Sequence, residues 1–335
     1  MIFLIKKKII FPLIYILTLI YSCTILSGCA TQEGREQYTH PRKSQKKAMK
    51  FSHKQYRIYN STGQTVSIDH IINMIGKVQV VFLGEMHNDP VAHYLQNLIL
   101  RKATDQYWKN VSSSKRRQVV LSMEMFARDV QMILDEYLMN IINEHHFLSC
   151  VRPWQNYVQD YHPLVKYAKK NNLKVLAANA PRRYVHRVAQ HGQSALNDLS
   201  TNAKTWIAPL PIKLPSEKLK QNFKAIQGKN LQMQFAHQAL SGKSHFIDAQ
   251  NLWDATMAYS IHEELSNSPG ILIIHLNGYF HTMSGFGIPE HLKHYHPHVH
   301  MIVINMVQND SFPNFNPQLK DSADFIIITD PKIRR

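Results

Sequence analysis

The stretch Val80–Pro90, VVFLGEMHNDP, runs four apolar residues into a glycine and then into Glu85 and His87. Four consecutive apolar residues describe a strand buried on both faces, the kind found in parallel sheets. Glu85 and His87 are costly to bury unless they are paired or have a chemical task. Asp89 and Pro90 then supply an N-cap and a first helical residue, and Val91, Tyr94, Leu95 and Leu98 follow at helical spacing. This segment therefore reads as strand, polar turn and helix.

The same alternation continues outward. Strand-like runs are expected at Val78–Leu83, Val119–Met123, Lys174–Ala178, Ile271–Leu276, Met301–Val307 and Phe325–Thr329, with helical patterns between most of them. Val130, Ile133, Leu134, Tyr137, Leu138 and Ile141 form a broad apolar stripe after the second run. After the third, Pro181 opens a short helix that Gly192 can end. The fold class is α/β, a largely parallel sheet with helices on both faces. A helical insertion is expected over about 195–268, where prolines at 209, 211 and 215 mark a connector and Trp253, Met257, Ile261 and Leu265 recur every fourth residue.

At 335 residues and 44% hydrophobic content the chain can build a sizeable core. Residues 1–28 place Lys6, Lys7 and Lys8 before an apolar run and small residues, the order of a secretory signal. Leu26-Ser27-Gly28-Cys29 resembles a bacterial lipobox, so Cys29 is the expected lipidation site; an uncleaved membrane anchor is the competing reading. Residues 29–55 read as a basic tether, and 56–335 as one domain. With Cys23 removed and Cys29 acylated, Cys150 has no disulfide partner. The net charge of +16 becomes +13 without the three leader lysines, which suits anionic lipid or a carboxylate-bearing ligand. Nucleic-acid binding has only this charge behind it and conflicts with export.

Gly84-Glu85-Met86-His87 has an echo in Gly278-Tyr279-Phe280-His281, and both follow a strand. The second strand ends in Glu124, and the third leads into Asn179 and Arg182. In an open parallel sheet these ends share one edge, where ligands bind. Glu85, His87, Glu124, His281 and Arg182 are thus the candidate catalytic set, and His87, Glu124 and His281 the candidate ligands of a divalent metal. Each taken singly can instead be a satisfied polar group at a strand end.

From about Thr65 to Asp330 the chain resembles the ChaN family of haem-binding uptake lipoproteins, within the Tiki and erythromycin-esterase-like superfamily. VVFLGEMHNDP, LSMEMFARDVQ, WQNYVQDYHPLVKYAKKNNLKVLAANAPRRYVHRVAQHG, AQNLWDATMA and LNGYFHTMSGFGIP carry the resemblance. It implies haem bound through a tyrosine ligand, with a homodimer enclosing a cofacial pair. Trp154, Tyr157 and Tyr161 lie at i, i+3 and i+7, a face that could stack on or ligate a porphyrin and reads equally as an aromatic core stripe. Arg152 and His162 are candidates to pair with propionates. Tyr279 and Phe280 depart from the small residues common in the second motif and place bulk beside the site.

His291–His300 holds five histidines in ten residues, a density that suits metal or haem capture and equally an exposed loop. The expected function is a haem-binding lipoprotein of the cell envelope supporting iron uptake, anchored by lipid at the outer membrane and served by an outer-membrane haem receptor. The alternative is a metal-dependent hydrolase using the GxxH site.

Overall fold

A computed structural model of the chain describes residues 50–221 and 245–334. The leader, Cys29, most of the tether and the middle of the expected insertion lie outside the described residues. Among the described residues seven strands form one sheet: β1 (Tyr56–Asn60), β2 (Val80–Glu85), β3 (Val119–Ala127), β4 (Lys174–Asn179), β5 (Leu272–Gly278), β6 (Met301–Gln308) and β7 (Phe325–Thr329). Their order is β1-β7-β6-β2-β5-β3-β4. β2 lies parallel to both β5 and β6, with Leu83 opposite Leu276 and Ile304. β1 alone runs antiparallel, against β7.

The period of two along β2 divides the core. Val81 and Leu83 join one apolar cluster, whereas Val80 and Phe82 join the other. The first cluster is covered by α2 (Pro90–Thr104) and α6 (His162–Lys170), and also holds residues of α1 (Ile68–Ile75), α3 (Gln131–Leu138), α4 (Glu144–Cys150) and the one-turn α5 (Tyr157–Asp160). The second is covered by α7 (Arg182–His191), α8 (Phe246–Asn267) and α9 (Ile288–Tyr295). A buried Leu, Ile or Phe contributes about 1.5–3 kcal/mol, so truncating Phe82, which is fully buried, to Ala would cost about 3–5 kcal/mol.

Local chemistry sets the helix ends nearest the site. Asp89 caps α2 by accepting the Val91 N–H at 2.9 Å, with Pro90 at the first helical position. Pro181 and Gly192 bound α7, and Gly192 takes the φ of 76° that favours glycine.

The region expected as an insertion has a different character at its end. α8 has 15 of its 22 residues buried, too many for an appended helix with one apolar stripe. It lies in the β4–β5 connection and forms part of the layer covering the sheet.

Candidate functional site

The sheet order places β2, β5, β3 and β4 side by side, so their C-terminal ends form one edge. Glu85, Glu124, Asn179 and Gly278 all stand there, and the two GxxH turns pack against each other through their glycines. A Cβ on Gly84 would lie 3.0 Å from Tyr279 Cα and 3.1 Å from Thr282 Oγ1. One on Gly278 would lie 3.0 Å from Cε1 and Nε2 of His87 and 3.7 Å from Cδ2 of His281. Only hydrogen fits at either position without a shift of the neighbours, and the second position brings both histidines to one spot.

Around β2 the polar groups form a closed network. Glu85 Oε1 accepts from His87 Nδ1 at 2.8 Å and from the Tyr161 hydroxyl, while Oε2 accepts from Gln96 at 2.5 Å. His93, four residues after the helix cap, stands 3.2 Å from Glu85 Oε2 through Nδ1 and 3.5 Å from Asp160 Oδ2 through Nε2. Burial alone would push the Glu85 carboxyl up, but the adjacent His93 charge and the imidazole hydrogen bonds hold it well below the usual carboxylate range. Burial likewise opposes charge on His93, but Glu85 and Asp160 outweigh it and raise that imidazole to about 9. Donation of Nδ1–H to Glu85 fixes His87 in the tautomer whose lone pair is on Nε2.

The second network is assembled from greater sequence distance. His281 Nδ1 bonds Asp254 of α8, and its Nε2 stands 3.7 Å from Glu124 Oε1. Glu124 Oε2 accepts the Gly278 N–H at 2.7 Å, and the Glu124 carbonyl accepts from Asn179 at 3.0 Å. Burial opposes charge on His281, yet Asp254 and Glu124 raise its imidazole to about 9.

Glu85, His87, Glu124 and His281 are thus brought together as the strand-end reading expected. The metal reading fares differently: among the described residues no three His, Cys, Asp or Glu are arranged to hold a metal ion. The reason is local. Glu124 is committed to Gly278, His281 to Asp254, and the Nδ1 of His87 to Glu85.

The aromatic residues do not form a porphyrin-facing stripe. Tyr157 and Tyr161 are both 0% exposed. Tyr157 sits among Phe126, Phe147 and His162 with no hydrogen-bond partner for its hydroxyl among the described residues, and Tyr161 serves Glu85. α5 is one turn long, so the i, i+3, i+7 spacing spans a helix start and a cap instead of one continuous face. Trp154 is half-buried, its ring 4.8 Å from that of His87. Asn156 donates to the His87 carbonyl at 2.9 Å, completing a cover over the first turn.

Among the expected anion-binding groups, Arg152 is exposed and pairs with Asp129 at 2.8 Å. Arg182 is exposed, while its neighbour Arg183 turns to Asp129. His162 is buried against Glu144 at 3.3 Å, so it is not placed to meet a propionate. The His291–His300 run is divided between α9, which holds His291 and His294, and the loop carrying His296, His298 and His300 into the start of β6, at the opposite edge of the sheet. His291 is buried 2.8 Å from Asn251 Oδ1, whereas His294, His298 and His300 are exposed, so the five share no face.

His93, Asp160 and Asp254 were missed by sequence reasoning. His93 and Gln96 had a signal, since both fall three apart on the α2 face turned to the sheet. Asp254 had only its presence among buried neighbours in AQNLWDATMA.

An open, mostly parallel sheet whose edge joins two GxxH turns through acid–imidazole pairs defines the class of this protein. The chain belongs to the family described as haem-binding uptake, Tiki superfamily, ChaN, whose match covers residues 71–292. A solved structure of ChaN of Campylobacter jejuni, reported for cofacial haem binding, has the same fold with a TM-score of 0.60 and 20% identity, over 83% of this chain and 98% of that one. An erythromycin esterase is more distant, with a TM-score of 0.40 and 12% identity over 82% of this chain and 83% of that one. The chloroplastic protein RETICULATA-RELATED 5 of Arabidopsis thaliana is 25% identical over 122 residues, 36% of this chain and 16% of that protein's length.

Proposed function

We propose that this chain is a haem-binding lipoprotein of the bacterial envelope that supports haem and iron uptake. The family match over residues 71–292 is the observation that carries the reading. The C-terminal edge fits a flat ligand with carboxylates: Trp154 offers an aromatic surface, and Arg152 and Arg183 offer guanidinium groups. Ferric haem bound there supplies an iron centre that a phenolate oxygen can ligate. Tyr157 and Tyr161 would each have to leave the core to do so. We therefore nominate Tyr279, half-buried at the same edge with its ring 4.2 Å from that of Phe280. Lipid attachment at Cys29, residence at the outer membrane, a haem-linked homodimer and supply from an outer-membrane receptor complete the proposal.

Haemin titration followed by absorption tests the reading. Saturable binding with a largely high-spin ferric spectrum is expected, and Tyr279→Phe should change that spectrum while Tyr157→Phe leaves it unaltered. Absence of saturable binding contradicts haem as the ligand. For the anchor, Cys29→Ser should abolish incorporation of labelled fatty acid; label persisting in the variant removes the lipobox.

A second reading is supported by the two imidazoles that meet at Gly278. His87, with its Nε2 lone pair beside that glycine, suits general-base hydrolysis. Turnover of an ester panel that His87→Gln abolishes would favour it.

A further inference from the structure

We propose that Arg152 and Arg183, joined through Asp129, form a receptor for a ligand carboxylate at the C-terminal edge of the sheet. Asp129 stands two residues beyond β3, with only 8% of its side chain exposed. It accepts from Arg152 Nη2 at 2.8 Å and from Arg183 Nη1 at 2.5 Å. Two guanidinium groups share one carboxylate, which leaves one positive charge in excess at this point. Each guanidinium carries five N–H donors, and the side chains remain 59% and 43% exposed, so donors are available to a ligand.

Arg183 is held in place from beneath. Its guanidinium lies 4.5 Å over the Tyr184 ring and 5.2 Å over that of Trp206, and Nη2 is 3.2 Å from the Tyr184 hydroxyl. Arg152 adopts φ 52°, a left-handed backbone that costs a non-glycine residue about 1–3 kcal/mol. With 59% of the Arg152 side chain exposed, water screens its pairing with Asp129, which returns about 1 kcal/mol or less and does not by itself offset that cost. Fixed guanidinium forks are, in contrast, the geometry that binds carboxylates with two parallel hydrogen bonds. The half-buried Trp206 ring lies beside Arg183, and half-buried Trp154 follows Arg152 by two residues in the chain, so the ligand class that fits is a flat aromatic molecule with a carboxylate.

The proposal rests on the haem reading for the identity of that molecule, and porphyrin propionates supply the carboxylate. The test compares haemin with haemin dimethyl ester, whose carboxylates are blocked, on the whole chain and on Arg152→Met/Arg183→Met. The unaltered protein should bind haemin about tenfold or more tightly than the ester, the scale of one charged hydrogen-bonded contact. The double variant should bind both at the ester's level with an unchanged thermal midpoint. Equal binding of the two porphyrins by the unaltered protein overturns the receptor while leaving haem binding intact, and so does a double variant that keeps the preference. Failure of the unaltered protein to bind either porphyrin overturns the haem reading and this proposal with it.

Discussion

The two GxxH turns share a spacing and an edge, yet they obtain their acids differently. His87 takes its carboxylate from Glu85, two residues earlier in the same turn, whereas His281 takes its from Asp254 on α8, 27 residues away. Glu85 is in turn gripped by Gln96, Tyr161 and His93, while Asp254 retains a buried Oδ2 with no hydrogen-bond partner among the described residues. His87 is 6% exposed and His281 0%, while Tyr279 and Phe280 of the second turn are half-buried, so the two turns differ in how deep their imidazoles lie. Two turns of one spacing can thus hold their imidazoles by a local acid in one case and a distant acid in the other.

Removing the acids should expose the contrast most strongly. Breaking a buried charge pair costs about 3–5 kcal/mol, and Glu85 serves more donors than Asp254 does. Glu85→Ala is therefore expected to lose more stability in urea than Asp254→Ala, with both losses above about 2 kcal/mol. Equal, small losses would mean that neither pair matters to the fold.

pH should separate the acidic and basic partners next. Glu85 is depressed in the folded protein, so its contribution is present above the unfolded carboxylate range and fades as acid approaches the lower folded value. His93 and His281 are both raised to about 9, so their contributions are full below the unfolded imidazole value and fade as pH rises through about 9. The thermal midpoint should therefore fall between about pH 6.5 and 9, and His93→Gln should flatten that slope. A midpoint that rises across this window contradicts the assignment.

Gly278→Ala is expected to have a smaller effect on stability, about 1 kcal/mol, because the added methyl meets one ring of His87 at 3.0 Å and that ring can give a little. Its effect on ligand binding should exceed its effect on the fold. A variant with unaltered haemin affinity and stability would show that the close approach of the turns is unimportant.

Legibility followed the range of the interactions. Six strands were visible because buried parallel strands are apolar on both faces, and β7 was placed to the residue. β1, YRIYN, escaped because a five-residue edge strand with mixed polarity gains its identity from pairing with β7. Glu85, His87, Glu124 and His281 were legible from a rule about strand ends. Asp254 was not, since a carboxylate inside a helical repeat reads as solvated until the helix is known to be buried nearly all round. Tyr157 and Tyr161 show the reverse: their aromatic periodicity was real, but periodicity does not say which side faces ligand, and both face the core. The pairing of Arg152 and Arg183 through Asp129 was not legible, because it joins three residues distant in the chain.

A crystal structure of the haemin complex tests the central claim most directly. Porphyrin is predicted at the C-terminal edge, in contact with Trp154 and with a propionate reaching Arg152 or Arg183. Porphyrin seated instead at His291–His300, away from Trp154 and both arginines, would contradict the account.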